Sequence, residues 1–413
     1  MPPKSQSPSE KQTKPKLVVQ KYGGATLADP QKIRQIAARI AELSKQGTQV
    51  VVAVSAMGKT TNQLIDLANQ VSSRPSRREM DMLLTTGERV SMALVSMALQ
   101  DLGCQAISFT GSQAGILTDE SHVNAKIIDV KAFRVEEALH QGKVIVLAGF
   151  QGVSPLTKEI TTLGRGGTDT TAVAMAAYLK ADRCEILKDV AGVFSADPHV
   201  VPKARALTQL SYEQMMEMTF WGAKVLHYRS VELAKLKNVT LYIGPATQNL
   251  ADGTVISNGE TEKVMFESSK ILGLNSHERV LKISVKEKTP AEALVKLKHA
   301  LDKLEIAFPQ ILFSQSSEKE TTLFITGPGE ILKAVLNEKA NLNGIQIVDE
   351  NLCSVSATCT GIAGYEVTEN ILMRLRQHEI HPLEMYYSAL SLNLILKEPQ
   401  RKSALSKLHE LLE

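Results

Sequence analysis

The chain has 413 residues, 43% hydrophobic and 22% charged, which at roughly 100–200 residues per domain predicts two to three domains with sizeable cores. Lys+Arg number 47 against Asp+Glu 44, and Met1–Lys16 alone holds four lysines against one glutamate, so the remaining body is nearly neutral, which argues against an electrostatic nucleic-acid binder. Aromatic residues, at 4%, are too few for a base-stacking surface.

No apolar run approaches the roughly 18 residues of a membrane helix; Val144–Phe150 is typical of the longest. The N-terminus has no apolar segment after its basic residues, so no secretory signal is expected. Cys104, Cys184, Cys353 and Cys359 form no CxxC pair, which predicts neither a disulfide framework nor a thiol zinc site. A cytoplasmic protein with free thiols, away from membranes, is the expectation.

Met1–Lys16 is Pro, Ser, Lys and Gln with little to bury and is expected to be a disordered tail. The first strand is predicted at Leu17–Tyr22, stopped by Gly23-Gly24. A helix follows over Pro30–Ser44 with Ile33, Ile36, Ala37 and Ile40 on one face. Gln49–Ser55 and Lys143–Phe150 are near-continuous apolar strands, Asn62–Ser72 and Met80–Leu102 helices, Asp169–Lys180 an Ala-rich helix, and Arg183–Leu187 a further strand. Strands without alternation, separated by helices, predict a parallel sheet covered on both faces.

Asn249–Glu262 is a plausible linker, and beyond about residue 265 the strands shorten and alternate. Val280–Val285, a helix to Leu304, Ile311–Phe313, Thr321–Thr326, a helix to Glu338 and Ile345–Val348 form a βαββαβ series. Asn351–Thr358, a helix near Glu366–Gln377, Leu383–Tyr387, Leu390–Leu396 and a terminal helix nearly repeat it, which predicts an internal repeat of a ferredoxin-like unit.

Two phosphate motifs are incomplete. Gly58-Lys59-Thr60 resembles the end of a P-loop, but Ala53 stands where its first glycine belongs, and Gly164-Arg165-Gly166 starts a dinucleotide pattern that Asp169 ends. Glycine-rich strand ends remain. Lys21 precedes Gly23-Gly24, where backbone and ammonium can approach an oxyanion. Thr162–Thr171 (TLGRGGTDTT) opens the Ala-rich helix, an anion-binding position. There Arg165 offers a fork for a carboxylate or phosphate, and Asp169 either orients a lysine, metal or amine or caps the helix. Glu88 suits the start of a long helix, and Ser55 stands at a strand end where α/β sheets bind ligands.

Taken together, KYGG (21–24), VSAMGKTTNQL (54–64), REMDMLLTTGERVS (78–91), SFTGSQAGI (108–116), AGFQGV (148–153), TTLGRGGTDTTAVA (161–174), CEILKDVAGVFSADP (184–198) and GAKVLHYRS (222–230) resemble, in the same order, the motifs of the aspartokinase family. The resemblance implies an α/β fold: a three-layer αβα amino-acid-kinase (carbamate-kinase-like) domain over 17–248 with a mainly parallel sheet, then two ferredoxin-like ACT domains over 265–413. It implies transfer of the γ-phosphoryl group of Mg·ATP to the side-chain carboxylate of L-aspartate, giving 4-phospho-L-aspartate, the first step towards lysine, methionine and threonine. Lys21 would neutralise the transferring group and Asp169 would organise the lysine. Ser55, Glu88, Arg165, Gly166, Gly167 and Thr168 would hold aspartate, Arg165 on its α-carboxylate and Glu88 on its ammonium group. Lys21, Tyr22, Gly23, Gly24, Lys188, Asp189, Phe194, Ser195, Ala196, Asp197, Pro198, His199, Lys224 and Val225 would border ATP. No direct side-chain ligation of the metal is implied. An amino-acid effector, lysine or threonine, and a homo-oligomer formed through the ACT-like domains are the implied partners. Phosphoryl transfer to a carboxylate needs positioning and charge neutralisation rather than a general base.

The nucleotide half departs from the family pattern. Lys188, Ala191, Phe194 and His199 stand where Thr or Ser, Asp, Tyr and Arg are usual. The lost hydroxyl is worth about 0.5–1.5 kcal/mol where hydrogen-bonded, the lost arginine a permanent cation, and Lys188 returns a charge. An altered ATP pocket is expected. The ACT loops Lys286–Ala291 and Thr360–Tyr365 lack the usual Pro-Gly turn, so reduced feedback by lysine or threonine is expected. The alternative is a catalytically weak paralogue serving as an amino-acid sensor or regulatory subunit.

Overall fold

The computed structural model describes residues 16–246, 253–258, 270–304, 306–339 and 342–412. The expected tail, apart from Lys16, and most of the expected linker lie outside them. The chain divides into two compact units. The first comprises Met1–Val193, Thr208–Tyr212 and Leu226–Gly259, the second Phe194–Leu207, Glu213–Val225 and Glu260–Glu413.

The first unit runs β1 (Leu17–Tyr22), α1 (Pro30–Lys45), β2 (Gln49–Val54), α2 (Thr60–Val71), α3 (Arg77–Asp101), β3 (Ala106–Phe109), β4 (Ile116–Thr118), β5 (Ile127–Val130), α4 (Phe133–His140), β6 (Val144–Ala148), β7 (Gln151–Val153), β8 (Ile160–Thr162), α5 (Gly167–Leu179) and β9 (Arg183–Lys188). After β10 (Val193–Phe194), β11 (Ala206–Leu207), β12 (Gln209–Leu210) and α6 (Tyr212–Phe220) come α7 (Tyr228–Lys237), β13 (Leu241–Pro245) and β14 (Thr254–Ile256).

Eight strands form one sheet in the order β12-β14-β13-β9-β1-β2-β6-β3, and only the β13–β14 pairing is antiparallel. The parallel pairing follows from the unbroken apolar runs of β2 and β6, which are buried on both faces. Val18, Tyr22, Val50, Val52 and Val54 pack on Ile33, Ile36, Ala37 and Ile40 of α1 and on Val95 and Leu99 of α3. The other face is covered by α5, which packs on β1, β2 and β9 and whose first ten residues are all buried. That gives three layers. Helix α1 starts where Pro30 follows Asp29, whose carboxylate accepts a hydrogen bond from the Lys32 amide at 2.9 Å.

The second unit centres on one six-stranded antiparallel sheet in the order β16-β17-β15-β18-β20-β19. Its elements are β15 (Ile271–Val285), α8 (Pro290–Lys303), β16 (Gln310–Ser316), β17 (Thr321–Thr326), α9 (Gly329–Asn337), β18 (Ile345–Cys359), α10 (Tyr365–Gln377), β19 (Glu384–Tyr387), β20 (Ser391–Lys397) and α11 (Arg401–His409). The expected repeat is present, but its halves share strands. The pieces 345–348 and 351–358 are one strand, β18, and β15 begins nine residues before Val280. The polar run Asp349-Glu350-Asn351 hides that continuity, since the Asn351 amide turns back to the Asp349 carboxylate at 3.0 Å. Register shifts at 277–283 of β15 bend the pairing there.

Each half has its own core, Leu281, Ile283, Leu297, Leu301, Leu323 and Val335 in one and Val355, Ile371, Leu375, Leu392, Leu394 and Leu408 in the other. Trp221, Val280, Phe324, Leu352 and Ile395 form a third cluster; Phe324 alternates with Leu323 and Ile325, and Ile395 with Leu394 and Leu396, so this cluster lies on the opposite face of the sheet. The Trp221 indole donates to Glu217 Oε1 at 3.0 Å, and the hydroxyls of Ser388 and Ser391 donate to the same oxygen. No helix among the described residues is long and apolar enough to cross a membrane.

Candidate active site

Pleating puts alternate residues on opposite faces. Lys21 pairs with Ala53 on β2 and with Ile186 on β9. Ser55 and Lys188 lie two residues beyond those partners, so Lys21, Ser55 and Lys188 share the face covered by α5, at the carboxyl ends of three adjacent strands. Such ends are where parallel sheets bind ligands.

The N-terminus of α5 lies over this cluster. Lys21 Nζ is 2.6 Å from Asp169 Oδ1, with side chains 8% and 5% exposed. Asp169 is the third residue of α5 and not its cap; the N-cap is Gly166, without a side-chain cap. Burial opposes ionisation of Asp169, but the charges of Lys21 and Lys188 outweigh it and hold the carboxyl below the usual range. Burial and the Lys21 charge make the Lys188 ammonium more acidic than usual, against the pull of Asp169. Ser55 Oγ donates to Thr168 Oγ1 at 3.0 Å, so the β2 end and the α5 start are joined directly.

Glu88, on α3, is 3% exposed. Its Oε1 accepts from the Ala56 amide at 3.1 Å, while its buried Oε2 has no hydrogen-bond partner. Burial pushes this carboxyl up to about 7, with the Ala56 and Glu88 amides pulling the other way. Gly24 is needed for close approach: a β-carbon there would lie 2.8 Å from the Ala56 carbonyl oxygen, and the Gly58 amide donates to the Gly24 carbonyl at 2.9 Å. The turns after β1 and β2 are thereby locked together. Gly167 and Thr168 are buried at the start of α5, and Arg165 is exposed in the loop before it.

The expected nucleotide residues fall into both units. Lys21, Gly23, Gly24, Lys188 and Asp189 are in the first. Tyr22 is also there, but its ring is buried in the core on the α1 side and its hydroxyl donates to Gln20, so only its backbone borders the turn. Phe194–His199, Lys224 and Val225 are in the second unit. There the fully buried Ser195 hydroxyl meets His409 Nε2 at 2.9 Å and accepts from the Arg205 amide. Ala196 lies in an apolar core. Asp197, Pro198 and His199 are exposed, and the Asp197 carboxylate accepts from the His199 amide. Val225 and Phe194 are half-buried, and Lys224 Nζ is 2.7 Å from Glu278 Oε1, both exposed. Among the described residues no group of three His, Cys, Asp or Glu side chains is placed to hold a metal ion.

Sequence reasoning gave no role to three residues that shape the site. Arg229 donates to the carbonyls of Leu163 and Ala125 at 2.7 and 2.8 Å and to Asn124 Oδ1, fixing the strand that leads into Gly164–Gly167. Asp81, fully buried, accepts from His122 Nδ1 at 2.6 Å, the Val123 amide and Thr162 Oγ1. His227 caps α7 through Nδ1, which accepts from the Arg229 amide, and abuts Gly166. Burial, with the nearby Arg229, keeps this imidazole below its usual range, against the pull of Asp169. Asp81 and His227 lie within the motifs quoted above, but a single Asp or His in a motif carries no signal of its partners.

Comparison with known proteins identifies the family. The Amino acid kinase family matches residues 16–245. The aspartokinase of Mycolicibacterium smegmatis is 42% identical over 405 residues, 95% of each chain, and that of Corynebacterium glutamicum 43% identical over 407 residues, again 95% of each. Among solved structures, E. coli aspartokinase III in complex with aspartate and ADP superposes with a TM-score of 0.78, at 21% identity, covering 96% of this chain and all of that one; at that identity the likeness is one of fold. With the Lys21–Asp169 pair at the sheet ends and full-length similarity of this order, the chain belongs to the aspartokinase family.

Proposed function

We propose that the chain binds L-aspartate and Mg·ATP and transfers the γ-phosphoryl group to the aspartate side chain. One observation carries this: the buried Lys21–Asp169 pair, placed by three parallel strands under the N-terminus of α5. Arg165 holds the α-carboxylate and Gly166, Gly167, Thr168 and Ser55 line its side. The unpartnered Glu88 Oε2 receives the ammonium group, which restores to a buried carboxylate the partner it lacks.

The β-carboxylate oxygen attacks the γ-phosphorus, a new carboxyl O–P bond forms, and the bond to the β,γ-bridging oxygen breaks with its electron pair leaving on ADP. No proton moves, so no base is needed. Lys21 and the amides of Gly23 and Gly24 take up charge on the equatorial oxygens. Magnesium enters with the nucleotide. Phe194, Asp197, Pro198, His199, Lys224 and Val225 remain as further nucleotide contacts, with Phe194 and His199 weakening them, whereas the side chains of Ser195 and Ala196 drop out because one is taken by His409 and the other is buried in an apolar core.

Residues 17–248 are the catalytic domain and 265–413 the regulatory pair, which assembles copies of the chain in the cytoplasm. The product feeds lysine, methionine and threonine formation. Feedback by lysine or threonine is reduced: the start of α8 is already capped by Thr289, which accepts from the Glu292 amide and donates to Glu292 Oε2 at 2.8 Å, and Glu287 pairs with Lys296. E. coli aspartokinase III has been captured with lysine and aspartate; strong inhibition of this chain by submillimolar lysine, alone or with threonine, would overturn that part.

The test is ATP-dependent acyl-phosphate formation from L-aspartate, trapped with hydroxylamine, beside Asp169→Ala. Hydroxamate lost in the variant supports the reading. Absence of hydroxamate from the unaltered chain, with aspartate still bound by calorimetry, favours the sensor.

A further inference from the structure

Lys21 has two demands on one ammonium group. It is bound to Asp169 at 2.6 Å in a site where both side chains are more than nine-tenths buried, and the reaction proposed above asks it to face a phosphoryl oxygen. If Lys21 turned away, Asp169 would be a buried carboxylate without a cation. Such a group either takes up a proton or draws its lysine back, and although an ammonium group has three donors and can touch both partners, a carboxylate with no other cation then takes most of its charge.

A second lysine lies on the same face. Lys188 is one strand over from Lys21, two residues past its register partner Ile186, and it bears on the same carboxylate. It is not a loosely held surface residue. Its carbonyl accepts from the Ala246 amide at 2.7 Å, its register partner on β13 is Pro245, and Arg39 of α1 donates to the carbonyls of both Pro245 and Ala246. The strand end is therefore clamped on its far side, with the lysine half-buried beneath α5. The exposed Asp189 also bears on it.

We propose that Lys188 is a positioning residue that acts through Asp169: it keeps the carboxylate compensated while Lys21 turns to the transferring phosphoryl group. Charge is conserved throughout, since two ammonium groups and one carboxylate serve the site before and after. This inference rests on the kinase reading, and it gives Lys188 a different role from that of a nucleotide contact.

The experiment compares the full chain with Lys188→Met and Lys188→Arg, measuring kcat and both KM values by hydroxamate formation and ADP affinity by calorimetry. The expected result is a kcat at least about tenfold lower in Lys188→Met, KM values and ADP affinity within about twofold of the unaltered chain, and substantial recovery of kcat in Lys188→Arg, which keeps the charge. A tenfold loss of ADP affinity would make Lys188 a nucleotide contact and overturn the proposal. Loss of activity in both variants alike, with a lowered melting temperature, would make it structural and also overturn it. A fully active Lys188→Met removes this inference alone, whereas an inactive unaltered chain removes the kinase reading.

Discussion

A β-carbon on Gly166 would lie 2.2 Å from the β-carbon of His227. The glycine also has φ +71°, so it meets two independent requirements at the turn into α5. Gly166→Ala must both strain the backbone and push α7's cap away, at about 1–3 kcal/mol for the strain alone. A melting temperature lowered by several degrees, with KM for aspartate raised, is expected. Unchanged thermal melting would show that the turn has slack.

Removing one partner from the Lys21–Asp169 pair leaves a buried charge uncompensated, which costs about 3–5 kcal/mol. Lys21→Met should therefore abolish hydroxamate formation and also shift the urea midpoint. Asp169→Asn with Lys21→Met should lose less stability than the sum of the two single changes. Additive losses in a double-mutant cycle would show that the pair is not coupled.

Burial raises the Glu88 carboxyl from its ordinary 4.5 to about 7. A carboxyl raised in the folded state binds its proton more tightly there. Its contribution to stability is full below about 4.5 and is lost as pH rises through about 7. The ammonium group of aspartate needs the ionised form, so binding runs the other way: KM for aspartate should rise about tenfold from pH 8 to pH 6. Glu88→Gln should raise KM and flatten both profiles. A KM independent of pH in the unaltered chain would remove Glu88 from the ammonium site.

Trp221 is the single tryptophan in the chain and is 1% exposed. Glu217→Ala takes away the acceptor of its indole and of the Ser388 and Ser391 hydroxyls, at about 1–3 kcal/mol. Tryptophan emission should shift and urea unfolding should begin earlier, whereas Glu217→Gln keeps an acceptor oxygen and should fall between. Superimposable emission spectra would contradict this.

Much of the kinase fold is legible in the sequence because its signals are local. The apolar face of α1, Ile33 to Ile40, and the unbroken strands β2 and β6 announce their own burial. The motifs single out Lys21, Ser55, Glu88, Arg165 and Asp169, and the structure places Lys21, Ser55 and Asp169 at the carboxyl ends of adjacent strands and the start of α5. That Asp169 serves Lys21 is implied by the family resemblance alone; the residues by themselves do not show the 2.6 Å contact, since strand β1 and helix α5 are distant in sequence. Arg229, Asp81 and Gln20 were hidden for the same reason. Each is fixed by partners distant in sequence, such as Gln20 donating to Glu185 at 2.8 Å. The C-terminal half misled differently. A short polar interruption, 349–351, ends a hydrophobic pattern without ending a strand.

That uninterrupted β18, with β15 beside it, means the two C-terminal halves cannot be dissected by truncation. A cut anywhere between 345 and 359 strips both halves of an interior strand and opens two raw edges at once. Chimaeras that exchange this sheet with a relative must carry 271–412 as one block, and a chimaera joined inside that block should precipitate rather than report on either half.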